Sequence, residues 1–400
     1  MTPTELYIHI PFCVKKCNYC DFLSAVFPER IQEEYALSLC EEIKYISKMH
    51  RDAYITTIYV GGGTPSWLSE DLMDKIMDTV HKSFKLDPLA EVSVECNPGT
   101  LSSEKLNVYR TIGINRLSIG LQSANDDELK ELGRIHDYNR FLHTYDLVRK
   151  AGFDNVNVDI MTGLPMQTIE KLEHTLSAVT LLRPEHISAY SLIIEEGTPF
   201  YDKYKFDAVK QHAGMPTSDG LPSDEEAYNL YKFTINYLAS KGYKRYEISN
   251  YARAGKVCKH NLGYWSRIPY IGVGIGAASL IGNNRATNIK DIYKYMEIAK
   301  KEPSQNAIDT KYSSPFYCEE TTLSKNDAIE EFMFLGLRKI EGIYKADFYE
   351  SFGMDIEFVY GPILEALKRQ GFIDTKDGRI FLTDIGIDVS NQVLAQFLLD

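Results

Sequence analysis

The sequence predicts an α/β fold: a partial (β/α)6 barrel followed by a small winged-helix-like domain at the C-terminal end. Three observations carry this. Six short runs rich in Ile, Val and Tyr fall at residues 6–10, 57–60, 91–95, 116–121, 155–160 and 186–193. Segments of helical period lie between them, so the strands are expected to be parallel and joined by right-handed crossovers. The chain has 400 residues, more than one domain usually holds, and beyond residue 324 the pattern changes to successive helices and a hairpin. Six units fall short of the eight that close a TIM barrel, so an open or partial one is expected.

Taken in order, several of the strand runs read as apolar with little alternation, as strands buried on both faces do. Helices are expected at 33–46, 137–150 and 169–182. In "SEDLMDKIMDTVHKSF" (69–84), Ser69 is an N-cap and Leu72, Ile76, Val80 and Phe84 recur at four-residue spacing. Residues 202–223 are polar, with Gly and Pro, and read as an excursion or mobile loop. A helix at 224–241 and a strand-like run at 245–251 follow. The tail shows helices at 326–339, 345–352 and 358–370. It then has a hairpin, "GFIDTKDGRIFLT", turning at Asp377-Gly378, and a last helix. The chain thus divides into a core at 1–200, a barrel-completing region at 201–323 and a tail domain at 324–400.

Composition narrows the function. With 44% hydrophobic, 12% aromatic and 25% charged residues the chain builds a substantial core and is not generally disordered. A net charge of -12 argues against nucleic acid as a partner. The tail has 8 Lys/Arg against 14 Asp/Glu, so its winged-helix-like pattern is not read as DNA-binding. The run "ELYIHI" begins too near Met1 to leave room for a secretory leader. The longest apolar stretch, "YIGVGIGAASLIG" (270–282), is too short and glycine-rich to span a bilayer. The expected location is the cytoplasm, where clustered cysteines point to metal or redox chemistry rather than disulfides.

Cys13, Cys17 and Cys20 form C-x3-C-x2-C in the loop after the first strand, the C-terminal mouth of the sheet where α/β sites are built. Two readings fit the spacing. Three thiolates hold three irons of a [4Fe–4S] cluster and leave the fourth open. Alternatively, a structural zinc takes His9 or a distant Cys as its fourth ligand. Lys15 and Lys16 would help keep the thiols ionised. Cys40, Cys96 and Cys318 are read as inert, Cys40 as core packing. Gly61-Gly62-Gly63-Thr64 closes the second strand, where glycines let backbone approach a ligand. It lacks the G-x-G-x-x-G of a dinucleotide loop. Glu95, Gln122, Arg134 and Asp159 sit at or just beyond strand ends.

The run "YIHIPFCVKKCNYCDF", with Tyr19 just before the third cysteine, resembles the radical S-adenosylmethionine (SAM) superfamily, and more narrowly its HemN/HemW group. That group pairs oxygen-independent coproporphyrinogen III oxidases with heme chaperones. "VGGGTPS", "ECNPGT", "RLSIGLQS", "LGRIHD", "NVDIMTGLPMQT" and "GVGIGAAS" follow in family order, so the resemblance covers nearly the whole chain. It implies a barrel of the radical SAM type and a [4Fe–4S] cluster on Cys13, Cys17 and Cys20. SAM would chelate the open iron and be cleaved by one electron to methionine and a deoxyadenosyl radical. It further implies that Gly62, Gly63 and Thr64 contact the methionine end of SAM. Glu95, Gln122, Arg134 and Asp159 would contact the rest, with Tyr7, Ile193 and Ala278 lining the site.

Within the group three features favour the chaperones. The oxidases carry a fourth cysteine two residues after the third, where this chain has Phe22. They have a longer segment before the cluster, where this chain has twelve residues before Cys13. "CKHNLGYW" (258–265) contains H-N-x-x-Y-W, which resembles a motif of the heme chaperones. The resemblance then implies heme as a third cofactor and a heme-accepting respiratory protein as partner, with peripheral contact with membrane proteins. An electron donor such as flavodoxin or ferredoxin is implied if SAM is cleaved. His260 could then be an axial heme ligand, Cys258 a thiolate alternative, and Tyr264 and Trp265 apolar walls; the other reading is that His260 and Trp265 are ordinary core or loop packers, and the axial ligand is left open. The alternative is a coproporphyrinogen III oxidase, which decarboxylates propionates to give protoporphyrinogen IX.

Overall fold

The six β-branched and aromatic runs pair side by side in the computed structural model, which describes residues 1–218, 220–301 and 313–399. They form β1 (Thr2–Ile10), β2 (Ala53–Gly62), β3 (Lys85–Cys96), β4 (Arg116–Gln122), β5 (Val156–Thr162) and β6 (His186–Ser191). All are parallel and neighbour one another in chain order. Short antiparallel strands β7 (Lys244–Arg245) and β8 (Asn250–Ala252) extend the sheet beyond β6. On the other side β9 (Tyr270–Val273) runs parallel to β1. Then β10 (Ala278–Ile281), β11 (Asn284–Asn288) and β12 (Tyr317–Thr322) pair antiparallel, giving a 12-stranded sheet with β7 and β12 at its edges. The α/β barrel is partial, as expected.

The crossovers are α1 (Glu29–Met49), α2 (Glu70–Ser83), α3 (Ser103–Thr111), α4 (Asp126–Glu131), α5 (Tyr138–Lys150) and α6 (Ile169–Leu182). Each of α2, α3, α5 and α6 begins at a side-chain cap: Ser69, Ser102, Asp137 and Thr168 accept from backbone N–H groups of the first turn. Their apolar stripes pack on alternate strand residues such as Ile58, Val60, Val92, Val94, Leu117, Ile119, Val156 and Val158.

The residues between these are polar, which corrects the expectation of strands with little alternation. Tyr59, Glu95, Arg116, Ser118, Asn157, Asp159, Ser188 and Tyr190 face a cavity inside the barrel. Both strand faces are buried, but only the outer one is apolar. Pairing register sets these polar groups level: Tyr7 lies opposite Tyr59, Tyr59 opposite Ser93, Glu95 opposite Ser118, and Asp159 opposite both Gly120 and Ser188.

Two further expectations are corrected. Much of 202–223 is helix: α7 (Pro199–His212), with Thr198 as its cap, buries Phe200 and Tyr204 against Leu132, Met161, Leu164 and Leu221. Aromatic burial anchors a stretch that looked like a loop by its polarity. After α8 (Asp224–Ser240), the run 245–251 is not one strand. Glu247 Oε1 accepts from Ser249 N–H at 2.8 Å and Asn250 Nδ2 at 2.7 Å, closing a turn between β7 and β8. The chain continues through α9 (Lys259–Trp265) and α10 (Ile292–Lys300).

The tail forms α11 (Lys325–Gly336), β13 (Ile343–Tyr344), α12 (Lys345–Phe352), α13 (Ile356–Arg369), β14 (Ile373–Lys376) and β15 (Arg379–Leu382). The expected hairpin turns at Asp377 (φ 51°) and Gly378 (φ 74°), the two positive values a tight hairpin needs. The expected last helix is two short ones, α14 (Asp384–Asp388) and α15 (Ser390–Leu394). Residues from Ile329 to Phe397 gather a hydrophobic core separate from that of the barrel. Buried Glu331 joins the two through Arg267 at 2.9 Å and Arg285 at 2.7 Å. Among the described residues no helix is long and apolar enough to cross a membrane.

Candidate functional site

The cysteine loop leaves β1 and is pinched at its base. Cys13 N–H donates to Ala25 O at 3.0 Å and Ala25 N–H to Pro11 O at 2.9 Å. Asn18 N–H donates to Leu132 O at 3.0 Å, its Nδ2 to Glu131 O at 2.8 Å, and Phe200 N–H to Asn18 O at 2.9 Å. The loop is therefore held by the turn after α4 and by the start of α7. The glycine edge of β2 packs beneath it. A Cβ on Gly63 would stand 2.7 Å from Phe12 O and 3.1 Å from Cys13 Sγ. Gly62 has φ 114°, and a Cβ there would meet the His9 ring at 2.5 Å. Only glycine fits at either position.

Among the described residues no three His, Cys, Asp or Glu side chains converge as ligands of a single ion. Thiolates on one tetrahedral zinc would stand roughly 3.8 Å apart, whereas a four-iron cluster takes each thiolate on its own iron. His9 is also committed: Nδ1 bonds Tyr7 Oη at 3.0 Å and Nε2 bonds Leu23 O at 2.9 Å. It has no nitrogen left for zinc. The sulfurs already meet donors suited to thiolates. Arg134 Nη1 donates to Cys17 Sγ at 3.5 Å, and Thr64 Oγ1 to Cys13 Sγ at 3.8 Å. Burial is the largest influence on the Cys20 thiol and raises it; Lys16 pulls the other way more weakly, which qualifies the role expected of the flanking lysines.

All three thiols open onto one cavity of roughly 550 Å³ at the C-terminal mouth of the strands. Gly62, Gly63, Thr64, Glu95, Gln122, Arg134, Asp159 and Ile193 also line it. Tyr7 and Ala278 do not. Tyr7 stacks behind Tyr59 at 6.5 Å between ring centres, and Ala278 begins β10 with its carbonyl packed against Gly272. Gln122 sits where the β4–β5 register shifts, at φ 76°, and accepts from Tyr190 Oη at 2.9 Å. Such a strained position aims a side chain where regular pleating would not. Asn97 was not singled out, although it lies in the quoted "ECNPGT". It accepts from Arg134 Nη2 at 2.6 Å and donates to Thr64 Oγ1 at 2.8 Å, so it orders two cavity residues. Tyr59, Arg116 and Tyr190 were also missed: Arg116 opens the quoted "RLSIGLQS" but was read only as part of the strand, and strand tyrosines carry no motif of their own.

Burial, with the Asp159 charge second, pushes the Glu95 carboxyl up to about 7, against the Tyr59 hydroxyl and Gly62 N–H that favour its ionised form. Burial also raises Asp159. Two carboxylates reluctant to ionise gain from a cationic ligand. A sulfonium or ammonium group is such a ligand, so the residues present fit SAM as well as a cluster. What the pair would supply there is one-electron chemistry.

The four residues expected around heme lie apart from this cavity, in α9 and at its N-terminal cap. Cys258 and His260 are buried in the barrel wall. His260 Nδ1 bonds Thr57 Oγ1 at 2.7 Å and Nε2 bonds Tyr264 Oη at 3.1 Å, while Cys258 Sγ donates to Glu91 Oε1 at 3.5 Å. Trp265 lies under the Arg338 guanidinium, 4.4 Å away. The expectation of a heme cleft here is corrected: an axial ligand needs a free ring nitrogen, and His260 has none.

A three-cysteine loop, a glycine edge and an acid-walled cavity on a partial (β/α)6 barrel define a radical SAM protein. The family model for the Radical SAM superfamily matches residues 7–179, and that for the HemN C-terminal domain matches 323–389. The heme chaperone HemW of Bacillus subtilis (strain 168) is 36% identical over 98% of both chains. That of Escherichia coli (strain K12) is 31% identical over 96% of this chain and 97% of its own. The solved coproporphyrinogen III oxidase HemN of Escherichia coli superposes with a TM-score of 0.82 at 22% identity, over 99% of this chain and 90% of that one, a likeness of fold alone. The chain belongs to the HemW family.

Proposed function

We propose that the protein is a heme chaperone. It holds a [4Fe–4S] cluster on Cys13, Cys17 and Cys20, SAM in the adjoining cavity and heme at the cavity mouth, and passes heme to a respiratory acceptor. The full-length likeness to HemW proteins supports the reading. The observation that carries it in this chain is the mouth itself. Phe22 and Ile193 line the cavity yet stay 60% and 67% exposed, an apolar rim suited to a flat macrocycle. Lys15 and Lys16 on the same rim suit propionates. Phe22 also occupies the place of the oxidases' extra cysteine. Residues 1–200 would carry the cofactors, 201–323 complete the wall and 324–400 serve partner docking. The site of action is the cytoplasm, with contact to membrane proteins at hand-over; flavodoxin or ferredoxin supplies electrons if SAM is cleaved.

The test is to reconstitute the cluster anaerobically and offer reduced protein plus SAM either heme or coproporphyrinogen III. Stable heme uptake without turnover is expected, with Phe22→Ser/Ile193→Ser lowering heme affinity about tenfold and leaving iron content unchanged. Protoporphyrinogen above the level of a Cys17→Ser control would overturn the reading in favour of the oxidase.

A further inference from the structure

The H-N-x-x-Y-W segment meets the cofactor cavity directly at Asn261, while its His260 reaches it through one intervening ring. Tyr59 stacks with two other rings: His260 at 5.2 Å and 24°, and Tyr7 at 6.5 Å and 21°. The Tyr59 hydroxyl donates to Glu95 Oε1 at 2.9 Å, and Gly62 N–H donates to Oε2 at 3.1 Å. Both carboxylate oxygens are therefore fixed in direction, with Tyr59 and Glu95 in the cavity wall.

His260 is itself held rigidly. Besides the Thr57 and Tyr264 bonds, its backbone N–H donates to Glu91 Oε1 at 3.3 Å, beside that of Lys259 at 2.9 Å. Gly263 lets α9 come this close, since a Cβ there would stand 1.8 Å from Glu5 Oε1. The 3.9 Å approach of His260 to Glu5 joins two neutral groups, because burial lowers His260 to about 3 and raises Glu5 to about 9.

We propose that His260 is a positioning residue for the cofactor cavity: it fixes the Tyr59 ring and, through the Tyr59 hydroxyl, the orientation of the Glu95 carboxylate toward a cationic ligand. The inference rests on SAM occupying this cavity and is independent of heme. Stacking, not ligation, is the function of the imidazole. Glu95 is faced by Tyr59, Tyr7, Tyr190, Asp159, Arg116 and the neighbouring Cys96, of which Asp159 and Arg116 supply the formal charges.

The experiment measures SAM affinity of the cluster-loaded full chain by calorimetry from pH 6 to 8.5, and heme affinity alongside. Wild type is read first, and failure to bind SAM there would overturn the cofactor assignment itself. Wild-type affinity should fall as pH drops below about 7, where Glu95 takes up a proton. His260→Ala should weaken SAM binding roughly tenfold at pH 8, and His260→Phe, which restores a stacking ring, should recover to within about threefold. Tyr59→Phe removes a donor to the carboxylate, so its pH midpoint should move upward. Heme affinity should match wild type in both His260 variants. The proposal fails if His260→Ala keeps wild-type SAM affinity and pH profile, or if His260→Phe is as weak as His260→Ala. It fails equally if both lose heme while SAM is unaffected, which restores the axial-ligand reading. Should the His260 variants not fold, an unmoved Tyr59→Phe midpoint decides against it.

Discussion

Glu5 shows how a single residue records the cost of a polar barrel interior. Its side chain is buried, Oε2 has no hydrogen-bond partner among the described residues, and desolvation raises its carboxyl to about 9. The folded state therefore holds a proton that the unfolded chain releases near its ordinary value of 4.5. Its contribution to stability is fully present below pH 4.5 and is lost as pH rises toward about 9. Glu5→Gln should thus raise the Tm at pH 8 by an amount equivalent to about 1–3 kcal/mol and leave it nearly unchanged at pH 4. Thermal melts across that range check both halves. At this scale the sequence was legible wherever chemistry demands a residue type at a spacing: the three cysteines, Gly62 and Gly63, and the strand-end Glu95, Gln122, Arg134 and Asp159. Tyr7 and Ala278, which resemblance carried to the site, pack behind the cavity wall, Tyr7 on Tyr59 and Ala278 against Gly272. A motif does not reveal burial, and His260 and Cys258 spend their polar atoms on Thr57, Tyr264 and Glu91.

Among the elements, α7 departs most from what its composition predicts. Lysines and aspartates disguise it, yet Phe200 and Tyr204 pin it against the cysteine loop, where Phe200 N–H meets Asn18 O and its ring approaches Tyr19 at 6.5 Å. Phe200→Ala should cost about 3–5 kcal/mol and loosen the loop it clamps. Hydrogen exchange should then speed up through residues 13–24 while β2 and β4 stay protected, and the reconstituted cluster should be lost faster on dilution. Uniform exchange across the barrel would count against α7 as a clamp. The βα units were readable because their helices carry long stripes and proper caps. Strands β9 to β12 were not, being four to six residues long and paired across loops, where local pattern is too short to register. The alternation within β3 to β6 was in plain view as "EVSVEC" and "RLSIGLQ", but expecting both faces apolar obscured it.

For the whole molecule, the tail and barrel have separate cores and share a polar seam. Glu331 is largely buried between Arg267 and Arg285, Lys232 reaches Asp388 at 2.9 Å, and Lys339 Nζ donates to Ser266 Oγ at 3.0 Å. Glu331→Gln leaves two guanidiniums without a charge partner and should weaken docking by about 1–3 kcal/mol. Calorimetry should resolve two unfolding transitions in the variant and a single one in wild type. The two-part plan and the winged-helix-like hairpin were legible from the change of pattern near residue 324. The seam was not, because pairs such as Arg285 and Glu331 are brought together only by the finished fold.

The alternating strands carry a last consequence, for how this chain can vary. Residues that hold it together and residues that meet ligands occupy the same strands, one position apart. A saturation scan along β4 should therefore give two interleaved traces. Leu117, Ile119 and Leu121 should be intolerant in any assay of abundance. Conservative changes at Ser118 and Gln122 should be mild there and fail mainly when cofactor binding is scored. New ligand specificity is thus open to selection without passing through unfolded intermediates.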